Sequence, residues 1–193
     1  MRNKILEQAI RLFGSSGFEG TSIQTIADAV GIKKPSLLYH FNSKAKLRDE
    51  VYKHLFDHWK SELPKLLATT SEDPFGSFIK ALVEYFQDDP NRSKIAVREM
   101  LDRPEFVRKV ISEELRPWVK LVSDYIRMGK QSGVVVEDID PESYIILVIM
   151  MVIGTVAVGD VLSSLVVQEN IDTDKVIIEE LKRIGRKALF KKS

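Results

Sequence analysis

The sequence has no cysteine among its 193 residues. This absence excludes a disulfide framework and any metal site built on thiolates. Only three histidines occur, and none belongs to the HExxH motif of zinc metalloproteases. Glycine-rich phosphate loops and the GxSxG nucleophile motif are also missing. We therefore expect a protein that is not an enzyme and that needs neither a metal nor a cofactor.

Long hydrophobic runs are scarce as well. The longest candidate, YIILVIMMVIGTVAVG at residues 144–159, has sixteen residues, whereas a transmembrane helix needs about 20. We interpret this run as a buried helix. The chain opens directly with an amphipathic helix instead of the apolar segment of a signal peptide. The sequence thus predicts no membrane association and a cytoplasmic location.

Net charge is close to zero, with 29 basic and 28 acidic side chains, but the charge is unevenly distributed. Residues 1–60 carry ten basic and six acidic side chains, and residues 61–193 carry nineteen basic and twenty-two acidic ones. A basic N-terminal part joined to a mildly acidic remainder indicates that the N-terminal part meets an anion.

Apolar residues recur at intervals of three and four along the chain, which predicts an all-α protein of about nine helices. Two residues, Thr21 and Ser22, are candidate N-caps of the second helix. Pro117 should kink or restart the long helix that contains it. Polar and proline-containing breaks divide the part beyond Pro64 into five helices, at 75–87, 91–101, 104–131, 141–164 and 173–190.

The first three helices are short and close together. The second ends at Val30, Gly31 stands where a terminating glycine is expected, and the third begins near Lys34. Two helices joined by a tight glycine turn form a helix-turn-helix, whose second helix enters the major groove of DNA. The pattern therefore favours a DNA-binding N-terminal part.

The residues that carry this pattern are ILEQAIRLFGSSGFEGTSIQTIADAVGI followed by KKPSLLYHFNSKAKL. In order and spacing they resemble the TetR family of bacterial transcriptional repressors over about 50 consecutive residues. The remainder resembles the family only in layout. The resemblance implies a helix-turn-helix domain at residues 1–46 and an effector-binding and dimerisation domain at residues 47–193, connected by a helix at 44–63.

Lysines at both ends of the short third helix can neutralise DNA phosphates, whereas planar or small polar groups can reach base edges. The resemblance to the TetR family, together with the chemistry of these side chains, implies that nine residues bind DNA. They are Ser22, Gln24, Lys33, Lys34, Pro35, Ser36, Tyr39, His40 and Lys44.

Two positions depart from the family pattern. The family commonly has tyrosine at the position of Leu38 and often a capping serine at the position of Lys33. Leucine cannot hydrogen-bond a phosphate, and lysine cannot cap a helix but can reach a phosphate. We expect an altered operator preference and retained DNA binding.

His54 and His58 stand four residues apart on the predicted fourth helix, which is a spacing that metal sites use. The alternative is a solvated row of side chains with i, i+4 charge pairs. Because no cysteine or third nearby histidine completes the set, we favour the solvated row.

The C-terminal part is rich in aromatic residues and methionines at helical spacing. Most of them should form the core, and the resemblance implies that some line an apolar effector cavity. The candidates for the few polar groups of this cavity are Arg98, Glu99, Ser123 and Thr155. The candidate ligand-binding residues are Phe78, Met100, Trp118, Tyr125 and Met151.

The last two helices carry more apolar surface than one small domain can bury. A two-fold dimer through these helices would cover it and would present two recognition helices to a palindromic site. The candidate interface residues are Gly154, Ala157, Ile177, Leu181 and Ile184.

These observations predict a homodimeric repressor that releases its palindromic operator when it binds a small, largely apolar inducer. The alternative is an architectural or cell-division DNA-binding protein with the same fold and no effector. An apolar cavity in the C-terminal part would favour the repressor, and its absence would favour the architectural protein.

Overall fold

The computed structural model describes residues 1–68, 74–165 and 173–190. Within these ranges the chain is helical, and its single β contact is an isolated bridge between Val135 and Phe190. The helices are α1 (Arg2–Ser16), α2 (Ile23–Val30), α3 (Lys34–Phe41), α4 (Lys44–Ala68), α5 (Pro74–Asp88), α6 (Asn91–Asp102), α7 (Pro104–Val110), α8 (Arg116–Gln131), α9 (Pro141–Ala157), α10 (Gly159–Leu162) and α11 (Thr173–Leu189).

The all-α prediction is confirmed: α7 and α8 together form one bent helix, and without the single turn α10 the described residues contain nine helices. The bend is a π-helical segment at Ile111–Leu115, directly before Pro117 in the first turn of α8. Proline has no N–H for the preceding turn, and the wider π turn accommodates this loss.

The predicted helix at 141–164 ends earlier than expected. α9 stops at Ala157 because Val158 adopts φ −122° and ψ 16°, outside the helical region. The short α10 and a 3₁₀ turn at Ser163–Leu165 follow. A valine followed by Gly159 has low helix propensity, which favours this break. No described helix is both long enough and apolar enough to cross a membrane.

The N-terminal helices share one core. Ile5, Leu6 and Phe13 of α1 are buried against Ile26 of α2 and Leu37 of α3. Their spacing of three and four residues places them on single helical faces, which explains why the three helices pack into a small bundle.

α1 also packs against α6, and this contact joins the N-terminal bundle to the rest of the protein. A Cβ atom at Gly14 of α1 would lie 2.4 Å from Cβ of Asn91, so only glycine allows this close approach. The Arg98 guanidinium of α6 donates a hydrogen bond of 2.9 Å to the carbonyl of Phe13. The same carbonyl also accepts the Gly17 N–H at 3.0 Å, so Arg98 adds a second hydrogen bond at the end of α1.

The C-terminal part is a bundle in which α9 lies in the middle and contacts α5, α6, α8 and α11. Ile145, Val148, Val152 and Ile153 of α9 are buried there. The buried hydroxyl of Tyr85 on α5 donates to the Leu55 carbonyl of α4 at 2.9 Å. The α4 helix thus belongs to this bundle with its middle part and to the N-terminal bundle at its beginning.

Candidate nucleic-acid interface and apolar cavity

The turn between α2 and α3 has the geometry of a helix-turn-helix. The Ser22 hydroxyl accepts a hydrogen bond of 2.9 Å from the Thr25 N–H and caps α2. Gly31 ends α2 with φ 79° and ψ 32°, a left-handed conformation that glycine adopts without strain. Thr21 is not the cap, because its buried hydroxyl donates to the carbonyls of Leu12 and Gly17 at 3.0 and 2.8 Å.

α3 has one buried and one exposed face. Leu37 and Phe41 are buried against α1 and α2, and Leu38 is partly buried against the same core. The opposite face is polar, and the Tyr39 ring is 85% exposed there. Packing through one face leaves the other free to enter a groove. The exposed predicted residues on and before α3 are Lys33, Lys34, Pro35, Ser36, Tyr39 and His40.

The beginning of α4 adds a second basic position beside α3. Ser43 caps this helix by accepting a hydrogen bond of 3.1 Å from the Lys46 N–H. The Lys44 ammonium lies 4.2 Å from the centre of the Phe18 ring, which holds the side chain by a cation–π contact. The positive end of the α4 dipole and the Lys44 ammonium thus both belong to the first turn of α4, a combination that suits the binding of a phosphate.

Two predicted DNA-binding side chains already have local partners. Gln24 donates a hydrogen bond of 2.7 Å to the Asp28 carboxylate on the exposed surface of α2. The Ser22 hydroxyl lies 2.8 Å from the Thr25 hydroxyl in addition to its capping bond. A DNA contact from Gln24 requires that it leave Asp28, whereas Ser22 can serve as both cap and contact.

The sequence of this N-terminal bundle matches a known protein family. The profile of the bacterial regulatory proteins, tetR family, matches residues 5–51. Residues 5–51 form a TetR-family domain. The proteins below share part of the sequence of this chain or the fold of the whole chain.

The biofilm operon icaADBC negative transcriptional regulator IcaR of Staphylococcus aureus is 45% identical over 58 residues, 30% of this chain and 31% of that protein. The alignment thus spans about a third of that relative's length. The regulator RutR of Escherichia coli is 27% identical over 157 residues, 76% of this chain and 69% of RutR. A transcriptional regulator structure from Saccharomonospora viridis in complex with choline superposes with TM-score 0.72 at 19% identity, covering 99% and 98% of the two chains.

The C-terminal bundle encloses an apolar cavity of about 210 Å³. It lies between α4, α5, α6, α8 and α9. Six aromatic rings line it, together with aliphatic side chains and Met100 and Met150. The aromatic residues are Tyr52, Phe56, Trp59, Phe78, Phe86 and Trp118. Among the described residues that line the cavity, none carries a charge.

The structure brings three of the five predicted ligand-binding residues to this cavity: Phe78, Met100 and Trp118. Tyr125 is on an exposed face of α8, and Met151 packs on the core on another side of α9; neither lines the cavity. The α4 wall of the cavity was missed by the sequence analysis. Its signal was the apolar i, i+3, i+4, i+7 series of Tyr52, Leu55, Phe56 and Trp59, which is shared by ordinary core helices.

The four candidate polar groups of the cavity all lie elsewhere. Arg98 and Glu99 are at the contact with the N-terminal helices. Ser123 is buried in α8, outside the lining, and its hydroxyl has no hydrogen-bond partner among the described residues. Thr155 lines a second, more polar depression between α9 and α11.

A network of ion pairs joins α4 to α6 beside the cavity. Arg48 of α4 pairs with Glu99 and, at 3.0 Å, with Asp102. Arg103 pairs with Asp49 at 2.7 Å and lies 3.4 Å from Glu99. Burial raises the pKa of Glu99, although the hydrogen bond and charge of Arg48 and the charge of Arg103 oppose this shift. The network therefore contains a buried carboxylate that depends on two arginines.

The predicted interface residues fall into two groups. Gly154, Ile177 and Ile184 are partly or fully exposed on α9 and α11, and within the described residues nothing lies within 4 Å of a Cβ built at Gly154. Ala157 and Leu181 are instead packed inside the protomer. Exposed Leu147 and Met150 continue the accessible apolar face of α9, and exposed Val158 directly follows this helix.

The two histidines of α4 have separate environments. His54 pairs with Asp57 at 3.1 Å, and His58 stacks on the Tyr85 ring with centroids 4.6 Å apart. Within residues 1–68, 74–165 and 173–190, no group of three or more histidine and acidic side chains is arranged to hold a metal ion.

Proposed function

We propose that the protein is a homodimeric transcriptional repressor in the cytoplasm that releases its DNA operator when a small, largely apolar ligand fills the cavity. The observation that carries this proposal is α4. This one helix begins beside the DNA-binding face of α3 and forms a wall of the cavity with its middle part. A displacement of α4 by a ligand would move the recognition helix.

The DNA-binding role is supported by the division of α3 into a buried apolar face and an exposed basic and polar face. Lys33, Lys34 and Lys44 would contact phosphates and supply affinity without sequence information. Ser36, Tyr39 and His40 would reach base edges or phosphates in the major groove. The name of IcaR, a negative transcriptional regulator, supports repression as the outcome.

The ligand response is supported by the cavity and by its position against the ion-pair network. A ligand can shift an equilibrium between two conformations only when it binds one of them more tightly. Tyr52 of the cavity wall lies one helical turn after Arg48, and Met100 directly follows Glu99. Filling the cavity would thus alter the α4–α6 contact, which lies close to the N-terminal bundle.

Dimerisation is supported by the apolar face of α9, where Leu147, Met150 and Gly154 follow one another at intervals of three and four. Ile177 and Ile184 add a parallel stripe on α11. A second copy would cover both and would place two recognition helices on one palindrome. The effector-independent architectural protein is the alternative, and the presence of the cavity favours the repressor.

The test uses DNA that flanks the gene of this protein. The purified protein should protect a palindrome there in a footprinting experiment, with two symmetric halves about one helical turn, or a multiple of it, apart. A screen of neutral apolar compounds should then find ligands that dissociate this complex. Binding to flanking and unrelated DNA with equal affinity at every salt concentration, and without any effect of bound compounds, would support the architectural alternative.

A further inference from the structure

The cavity contains many aromatic rings and, in its described lining, no charged side chain and no amide. Among the lining residues, the side chains that can donate a hydrogen bond are those of Tyr52, Trp59 and Trp118. A ligand that enters the cavity leaves water and comes into contact with apolar and aromatic side chains. The nature of the lining therefore restricts the chemistry of the ligand beyond the statement that it is apolar.

An ion would lose its hydration in this cavity without gaining a partner of opposite charge, which is strongly unfavourable. Aromatic faces return only part of this cost to a desolvated cation through cation–π contacts. The acidic side chain next to the wall, Glu99, is already engaged by Arg48 and Arg103. Neutral ligands are thus favoured over both anions and cations.

The size of the cavity sets a second limit. An apolar cavity of about 150 Å³ holds benzene, and this cavity measures about 210 Å³. The space suits a molecule of about two fused rings with a short substituent. Flat rings can stack against the indoles and phenyl rings of the wall at the separations that aromatic pairs prefer.

Tyr52 supplies the third restriction. Its ring is fixed between Phe56 and Phe106, with centroids 5.6 and 5.8 Å away. Its hydroxyl makes no hydrogen bond to a described residue, although the side chain is almost completely buried. Burial raises the pKa of Tyr52, so the phenol is protonated at neutral pH and can donate a hydrogen bond.

From these observations we infer that the cavity selects an uncharged aromatic molecule of about two rings that carries one hydrogen-bond acceptor, and that Tyr52 donates to this acceptor. This inference rests on the proposed function for its biological meaning, but binding itself is independent of DNA. Tyr52 belongs to α4, so recognition of the acceptor takes place on the helix that leads to the DNA-binding bundle.

The test is isothermal titration calorimetry of the DNA-free protein with four naphthalenes of similar shape. These are 2-acetylnaphthalene, 2-isopropenylnaphthalene, 2-naphthoate and 2-(trimethylammonio)naphthalene. The ketone should bind at least tenfold more tightly than either ion. It should also bind more tightly than the alkene, which has no acceptor, by about three- to tenfold, the range expected for one net hydrogen bond.

Tyr52→Phe should remove the advantage of the ketone over the alkene and leave the affinity for the alkene unchanged. Ile146→Trp, a substitution at the partly exposed edge of the cavity, should weaken the binding of both, whereas Leu121→Trp on exposed α8 surface outside the lining should not. Circular dichroism and thermal unfolding identify variants that fail to fold.

An ion that binds as tightly as the ketone, or a failure of all four compounds to bind, would overturn the inferred ligand class. Equal loss of ketone and alkene binding in Tyr52→Phe would overturn the role of its hydroxyl. Failure of the proposed function has a different signature, because the ketone would then bind as expected while operator affinity stayed the same at saturating ketone.

Discussion

At the scale of single residues, Tyr85 shows how one side chain can hold three helices. Its hydroxyl donates to Leu55 of α4, its ring stacks on His58, and the Arg92 guanidinium of α6 lies 4.4 Å from the ring centre. The cation–π contact with Arg92 is favourable, but a second cation at His58 would be repelled. Desolvation lowers the pKa of His58, and the positive charge of Arg92 contributes to the same shift.

This arrangement predicts a pH dependence of stability. Because the pKa of His58 in the folded protein lies below the ordinary histidine value of about 6.5, the unfolded chain binds the proton more readily. The stability linked to His58 is complete above pH 6.5 and is lost as the pH falls through the folded pKa. The melting temperature of wild type should therefore fall more steeply from pH 7.5 to pH 5.5 than that of His58→Phe, which keeps the stacked ring. His54→Phe is the control, and parallel curves for wild type and His58→Phe would contradict the prediction.

Lys44 is the residue at which the phosphate contact is best tested. Lys44→Ala should weaken binding to specific and unrelated DNA by similar factors, because phosphate contacts carry no sequence information. The slope of log K against log salt should become shallower by about one unit. Fluorescence anisotropy at several salt concentrations measures both effects. Lys80→Ala, an exposed lysine of α5 next to Glu84, is the matched control, and an unchanged slope for Lys44→Ala would show that Lys44 does not contact DNA.

At the scale of helices, α4 and α6 form the connection between cavity and DNA-binding face. Ion pairs fix their relative position where Arg48 meets Glu99 and Arg103 meets Asp49. Next to these ion pairs in the sequence, Tyr52 of α4 and Met100 of α6 line the cavity. Discrete ion pairs next to a deformable apolar wall can exist in two arrangements, which is what coupling between two sites requires.

The substitution Glu99→Gln removes the negative charge of this side chain and keeps its size and shape, so it tests what the charge contributes to stability. The variant leaves Arg48 with Asp102 and Arg103 with Asp49, so we expect a loss of about 1–3 kcal/mol in unfolding free energy, the usual cost of an imperfectly paired buried polar group. Urea unfolding measures this loss. Glu105→Gln is the control, because Glu105 is exposed and its ion pair is with Arg108; such pairs contribute at most about 1 kcal/mol.

A second measurement on the same variants addresses coupling. Operator affinity without ligand should change in Glu99→Gln and remain at the wild-type value in Glu105→Gln. If both variants bind the operator like wild type, the ion pairs stabilise the fold but do not position the N-terminal bundle.

At the scale of the whole molecule, the protomer leaves an apolar face of α9 and α11 uncovered. Leu147 and Ile184 are 61% and 47% exposed on it. Large exposed apolar patches in soluble proteins mark interaction sites. A two-fold dimer would bury this face and set the distance between the two copies of α3.

Gly154 offers a direct test of this interface. A Cβ atom there meets no described atom within 4 Å apart from its chain neighbours and the nearby backbone of its own helix, and a glycine inside a helix costs about 1 kcal/mol relative to alanine. Gly154→Leu should therefore keep or raise the stability of the isolated protomer, but it should separate the two copies of α9 and lower operator affinity. Sedimentation velocity at matched concentration, together with operator titration, measures both.

Gly154→Ala is the conservative control for helix propensity, and it should disturb the dimer less than leucine. A Gly154→Leu protein that stays dimeric and binds its operator normally would exclude Gly154 from the interface. In that case the open space beside it would serve another contact.

The N-terminal bundle was accessible to prediction because its signals are local. Gly31, the cap at Ser43 and the apolar spacing of α1 to α3 each act within a few residues. Even here the N-cap of α2 could be identified only from the tertiary structure, because the local sequence allows either Thr21 or Ser22 to cap this helix. The choice is made by packing, since α1 offers the Leu12 carbonyl to the hydroxyl of Thr21.

The cavity and the ion-pair network depend on contacts between distant parts of the chain. Arg48 and Glu99 are 51 positions apart, and neither is distinguished in sequence from other charged residues on helix faces. Helical periodicity indicates that Trp118 and Tyr125 lie on helices, but only the neighbouring helices decide that Trp118 faces the cavity and Tyr125 faces outward. Hydrogen bonds and side-chain spacing within one segment produce the helices, the turn and the basic face, so these features could be predicted from the sequence. The cavity could not be predicted, because it exists where five helices leave space between them and their packing depends on contacts between distant residues.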